Sequence, residues 1–211
     1  AKHVEKNTER VPLNISLVVD RSGSMSGDKM AFVKKATNFV VDNLNAADQL
    51  SIVQYDDRIE VVSPSQSVKN KKQIQDLVNK IQARGMTNLS GGMLEGYNQT
   101  SISKSDKYVN RVLLLSDGLA NEGITAPEKL KIIAQKKFRE EGIGLSTFGV
   151  GSDYDEQLMT NLAEFGGANY YFIDTPDRIP EIFAKELDDL LSVVAQNAKL
   201  SIKFPNSHLT C

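Results

Sequence analysis

The chain has 211 residues, 25 basic and 27 acidic side chains and a formal net charge of -2, which gives no electrostatic reason to expect nucleic acid or an anionic membrane as partner. Its single cysteine, Cys211, rules out an internal disulfide, and its two histidines, His3 and His208, sit in opposite terminal tails. His-based catalysis and His-ligated zinc are therefore not expected in the body of the chain. No window approaches the roughly 18 apolar residues of a membrane span. Ala1 to Arg10 is polar, without the apolar stretch of a signal peptide, and the chain opens without Met, as an excised or processed fragment would.

In chain order, Leu13 to Val19 reads as a buried strand by its short length and β-branched content. Lys29 to Leu44 carries Val33, Ala36, Val40 and Leu44 on one helical stripe. Asp48 to Tyr55 is a second strand and Ile59 to Val62 a third, joined by the turn Asp56-Asp57-Arg58 into a hairpin. Ser63-Pro64-Ser65 is expected to stop that strand. Lys69 to Ala83 is a helix through Ile74, Leu77, Val78 and Ile81, and the loop Arg84 to Asn88 leads into a short helix, Leu89 to Thr100. Val109 to Ser116 is the second strongly apolar strand. Ala126 to Glu141 is a helix with Pro127 in its first turn. Gly144 to Val150 and Ala168 to Ile173 read as strands, Asp155 to Glu164 as a helix, and Pro176 to Val194 as a long amphipathic helix.

This alternation predicts an α/β fold: a doubly wound, mostly parallel six-stranded sheet, with one antiparallel edge strand from the hairpin and helices on both faces. The runs Leu13–Val19 and Val109–Ser116 suit strands covered on both sides, hence central ones. Residues 1–10 read as an N-terminal lead and 11–195 as the domain. Lys199 to Phe204 alternates polar and apolar, either as the first strand of a following β-rich region (196–211) or as an ordered tail.

Open parallel sheets bind ligands beyond the carboxyl ends of their strands, where the strand order reverses. Asp20-Arg21-Ser22-Gly23-Ser24 lies at one such end and Ser116-Asp117-Gly118 at another. If the two apolar strands are neighbours, Asp20 and Asp117 face each other across the crevice, and Thr87 enters from its polar loop. Asp20, Ser22, Ser24, Thr87 and Asp117 together offer only hard oxygen donors, which suit a small divalent cation.

The texts DRSGSM, GMTN and LLLSDG, in that order, resemble the metal-ion-dependent adhesion site of von Willebrand factor type A domains, and the resemblance runs from about Val11 to Val194. It implies direct coordination by the hydroxyls of Ser22, Ser24 and Thr87. It implies that Asp20 and Asp117 bind closely, often through water, and that the sheet order is 3-2-1-4-5-6. The implied ion is Mg2+, with Mn2+ or Ca2+ as alternatives, and the implied partner is a protein presenting an Asp or Glu. Neighbouring domains of the same polypeptide are further implied contacts. The entry Pro12-Leu13-Asn14 is similar to the branch of inter-alpha-inhibitor heavy chains and bacterial surface proteins, which favours an extracellular, periplasmic or cell-surface setting.

Other features have plainer readings. Asp56-Asp57 reads as a solvated turn. Tyr170 and Tyr171 read as packing residues. Met25 is expected to pack beneath its loop, and Leu119 is left as either packing or an apolar contact at the rim. An aspartyl-phosphate enzyme would need an acid two residues beyond Asp20, where Ser22 stands. A serine hydrolase would need a histidine in the domain body. No enzymatic activity is expected. A domain in which the cation serves stability alone is the remaining alternative.

Overall fold

A computed structural model describes residues 10–152 and 154–192. The lead before Arg10 and the alternating segment Lys199 to Phe204 fall outside these residues. The elements are β1 (Leu13–Asp20), α1 (Asp28–Asn43), β2 (Gln49–Tyr55), β3 (Ile59–Ser67), α2 (Lys71–Asn79), α3 (Leu89–Ile102), β4 (Val109–Ser116), α4 (Pro127–Glu141), β5 (Gly144–Val150), α5 (Glu156–Phe165), β6 (Tyr170–Ile173) and α6 (Ile179–Leu191). The sheet order is β3-β2-β1-β4-β5-β6. Among the described residues only the β2–β3 pair is antiparallel. The α/β, doubly wound architecture and its central β1–β4 pair are those expected from the sequence.

The apolar runs explain the centre of the sheet. Every residue of β1 and of β5 is buried. Successive side chains of β1 point to opposite faces. Leu13, Ile15, Leu17 and Val19 join Val33 and Val40 of α1, Val78 of α2 and Phe183 of α6 in one core. Val18 joins Leu89, Met93 and Tyr97 of α3, Leu130 of α4 and Leu162 of α5 in the other. Side-chain caps start α3 and α5: Asn88 accepts from Gly91 N at 2.9 Å and Asp155 from Leu158 N at 2.9 Å. At the foot of the sheet, Glu186 of α6 is fully buried. It accepts hydrogen bonds from Ser146 Oγ, from Asn169 Nδ2 (3.1 Å) and from the Tyr171 hydroxyl (3.0 Å).

One expectation fails at the hairpin. Ser63-Pro64-Ser65 does not stop β3, which runs on to Ser67. β3 is an edge strand, so the missing Pro64 N–H need not meet a partner, and the register shifts between Leu50 and Ile52 absorb the irregularity.

Helix α3 approaches the sheet closely because it is rich in small residues on its inner face. A Cβ on Gly92 would lie 2.3 Å from the Tyr55 ring, and one on Gly96 2.4 Å from Val18 Cγ2. Tyr55 is fully buried, so its ring has no room to yield. Gly92→Ala is expected to cost about 1–3 kcal/mol through overpacking, measured by denaturant unfolding.

Candidate functional site

Three loops meet at the carboxyl ends of β1, β2 and β4. The first continues β1 through Asp20, Arg21 and Ser22 into one 3-10 turn, Gly23–Met25. Asp20 is fully buried. Its Oδ1 accepts the Ser22 N–H at 2.8 Å, and its Oδ2 accepts hydroxyl donations from Ser116 (2.5 Å) and Tyr55 (3.2 Å). The Ser22 and Ser24 hydroxyls lie 3.1 Å apart. Ser22 is buried and Ser24 exposed. Met25 is fully buried in the core beneath its loop, as expected from the sequence.

The second loop holds Thr87, which is 2% exposed. Its N–H donates to Asn121 Oδ1 at 2.8 Å, and its carbonyl accepts from the N–H groups of Asn121 and Glu122, both at 3.1 Å. The second loop is thereby fastened to the third. It is fastened to the first by the Gly23 N–H, which donates to the Gly85 carbonyl at 3.1 Å. In the third loop Asp117 is fully buried. Its Oδ2 lies 3.1 Å from Lys29 Nζ, and its carbonyl accepts the Asp155 N–H at 2.9 Å. Gly118 has φ +72°, and a Cβ there would press on Asp155 and Met159 at 3.2–3.3 Å.

The five sequence-derived residues thus stand on three loops bonded to one another, with four of them buried and Ser24 at the open mouth. Burial pushes the Asp20 carboxyl up to about 6, reinforced by the neighbouring Asp117 charge and opposed by hydrogen bonds from Ser116 and Ser22. The same burial, with the Asp20 charge, pushes the Tyr55 hydroxyl well up. Such a pair of buried carboxylates gains from a nearby cation, and the donor set is oxygen throughout. It holds two carboxylates and no third: among the described residues no three His, Cys, Asp or Glu side chains gather as a metal cluster. The residues present fit a hard divalent ion whose remaining ligands are hydroxyls and water.

Several neighbours of the site carry no signal in the sequence. Ser116 and Tyr55 support Asp20 from the adjacent strands, and Asn121 holds Thr87. Lys29 had a visible signal as the first basic residue of a helix starting beside the first loop. Asp56 was misread. It is not a solvated turn residue but is fully buried, contacting Arg21 and Arg84, while Asp57 alone is exposed. At the rim, Leu119 is 42% and Met86 48% exposed, so Leu119 does not pack beneath its loop.

A doubly wound sheet in this order, with these three loops at its crevice, defines a von Willebrand factor type A class of domain. The chain matches that family over residues 14–185 and belongs to it. It is 32% identical over 209 residues to protein YfbK of Escherichia coli (strain K12), covering 98% of this chain and 36% of that protein. It is 28% identical over 165 residues to inter-alpha-trypsin inhibitor heavy chain H3 of Rattus norvegicus, covering 72% of this chain and 18% of that one. The chain therefore spans well under two thirds of either relative. The structure of proximal thread matrix protein 1 from the mussel byssus, with a zinc-occupied adhesion-site motif, superposes with a TM-score of 0.68 at 16% identity. That match covers 85% of this chain and 48% of the other, and it shows likeness of fold.

Proposed function

We propose that the domain is a non-catalytic, divalent-cation-dependent protein-binding module. In this reading Asp20, Ser22, Ser24, Thr87 and Asp117 hold Mg2+, with Mn2+ or Ca2+ as possible substitutes, and an Asp or Glu of a partner protein completes the coordination. The observation that carries the reading is the pair of fully buried carboxylates, Asp20 and Asp117, among hydroxyl donors at the end of the central strands. Family membership supports a role in protein interaction, and the zinc-occupied motif of the byssus protein supports a metal at the equivalent place.

When bound, the ion supplies an exchangeable coordination position that a partner carboxylate can take. The chain does the rest. Asp20 and Asp117 offset the cation's charge, while Ser22, Ser24 and Thr87 add neutral oxygens that leave it electrophilic. Loop-to-loop hydrogen bonds hold these donors in place before binding. Ser22, two residues beyond Asp20, is a poor proton carrier, which supports binding over aspartyl-phosphate chemistry. Met86 and Leu119 provide exposed apolar surface beside the site. The mussel byssus relative and the heavy-chain likeness favour a surface, periplasmic or extracellular setting.

Selection from a displayed random-peptide library, in Mg2+ and again in chelator, tests the reading. Binders are expected to carry Asp or Glu and to release in chelator. Binders that lack an acid, or that persist in chelator, would exclude it, and a chain that binds Mg2+ yet selects nothing would favour a purely structural ion. Met86→Ser with Leu119→Ser is expected to weaken the selected peptides about tenfold, the scale of one or two buried methylenes, while Mg2+ affinity stays unchanged.

A further inference from the structure

Outside the five donors, a cluster of charges surrounds Asp56, the first residue after β2. Asp56 is fully buried and Arg21 is 6% exposed. Asp56 Oδ2 pairs with Arg21 Nε at 3.0 Å and with Arg84 Nε at 2.8 Å. Its Oδ1 accepts the Arg58 N–H at 2.7 Å, and its backbone carbonyl accepts the Asn88 N–H at 2.9 Å. Glu60 Oε1 closes the cluster, 2.8 Å from Arg21 Nη2 and 3.1 Å from Arg84 Nη2. Gln54 Nε2 holds the other Glu60 oxygen at 2.8 Å.

The sequence positions of these partners give the cluster its meaning. Arg21 stands between Asp20 and Ser22, Arg84 three residues before Thr87, and Asn88 one residue after it. The Arg21 carbonyl also accepts the Arg84 N–H at 2.7 Å, and the Arg21 N–H donates to the Tyr55 carbonyl at 2.9 Å. The Asp56 carboxylate thus contacts both loops that carry the hydroxyl donors, through Arg21 before Ser22 and Arg84 before Thr87, and its backbone carbonyl holds Asn88 just after Thr87. It also neutralises guanidinium charge immediately beside the place where a divalent cation would sit. Without that anion, only the half-exposed Glu60 would offset Arg21 beside the incoming ion.

Resting on the metal reading above, we propose that Asp56 is a positioning residue for the site. It binds no ion itself, but through Arg21, Arg84 and Asn88 it preorganises Ser22, Ser24 and Thr87. Outer partners of this kind typically carry 10- to 100-fold of metal affinity.

The test compares wild-type chain, Asp56→Asn and Arg84→Ala by Mg2+ titration calorimetry. Tb3+ luminescence lifetimes in H2O and D2O count the waters left on the bound ion. Gly96→Ala serves as a control that disturbs packing away from the loops. Asp56→Asn is expected to weaken Mg2+ at least tenfold and to leave one more water on Tb3+, the mark of a lost hydroxyl ligand. Arg84→Ala, at a half-exposed position, is expected to weaken Mg2+ by about threefold, less than the usual range of outer partners because Asp56 keeps its contact with Arg21. Gly96→Ala is expected to leave both readings unchanged. A folded Asp56→Asn with wild-type affinity and hydration would overturn the proposal. Should that variant not fold, wild-type behaviour in Arg84→Ala would overturn it equally. Absence of Mg2+ binding by the wild-type chain would instead strike the metal reading itself, and this role with it.

Discussion

Asp20→Asn is expected to make the metal-free domain more stable at neutral pH while abolishing its response to Mg2+. The Asp20 carboxyl is pushed up to about 6 by burial, above the ordinary value near 4. A carboxyl raised on folding binds its proton more tightly in the native state than in the unfolded one. Its contribution is therefore complete at low pH and is lost as pH rises from about 4 to about 6. Above that window, keeping the ionised group buried costs about 3 kcal/mol. An amide removes this cost but keeps an oxygen for the Ser22 N–H, so a gain of about 1–3 kcal/mol is expected at pH 7.5. Urea unfolding between pH 4 and pH 8 without metal reads the effect. Wild type should lose stability across the window and Asp20→Asn should not. Equal slopes in the two proteins would contradict the assignment. A residue that destabilises the empty fold is a sign that its charge serves something other than stability.

Asp48→Ala is expected to give the largest loss of stability, about 3–5 kcal/mol. Asp48 is fully buried at the opposite end of the sheet from the three loops. Its two oxygens take the Arg10 guanidinium in a two-pronged pair at 2.7 and 2.6 Å. They also accept the Leu13 N–H at 2.9 Å and the Asn45 N–H at 2.7 Å. One carboxylate therefore seats the start of β1 and the turn before β2. Its removal leaves two backbone donors unmet and one cation without its partner. Because the site lies at the far end, Mg2+ should still stabilise the variant by linkage. A loss below about 1 kcal/mol in urea unfolding would show that water replaces the carboxylate freely.

The parts of this molecule legible in the sequence are those governed by local pattern. β1 and β4 announce themselves because both of their faces are covered, which demands mostly apolar residues. The strand-end texts around Asp20 and Asp117 are legible because turn chemistry and donor chemistry coincide in a few residues. What stayed hidden depends on partners distant in the chain. Asp56 in isolation has the look of a turn residue, and only the fold brings Arg21 and Arg84 to it. Pro64 breaks a strand by local rules, yet it is harmless on an edge, and edge position is a property of the whole sheet. Tyr55 reads as one more apolar strand residue until β2 is set beside β1 and its hydroxyl reaches Asp20.

The claim on which all else depends is that these loops hold a divalent cation. Thermal unfolding of the wild-type chain and of Thr87→Ala, across a Mg2+ titration, tests it most directly. Thr87 adds no charge, so its loss tests ligation apart from electrostatics. The wild-type midpoint is expected to rise, equivalent to about 2.7 kcal/mol when Mg2+ reaches a hundred times its dissociation constant. Thr87→Ala is expected to show little or no rise over the same range. A wild-type midpoint indifferent to Mg2+, or an equal rise in both proteins, would contradict that claim.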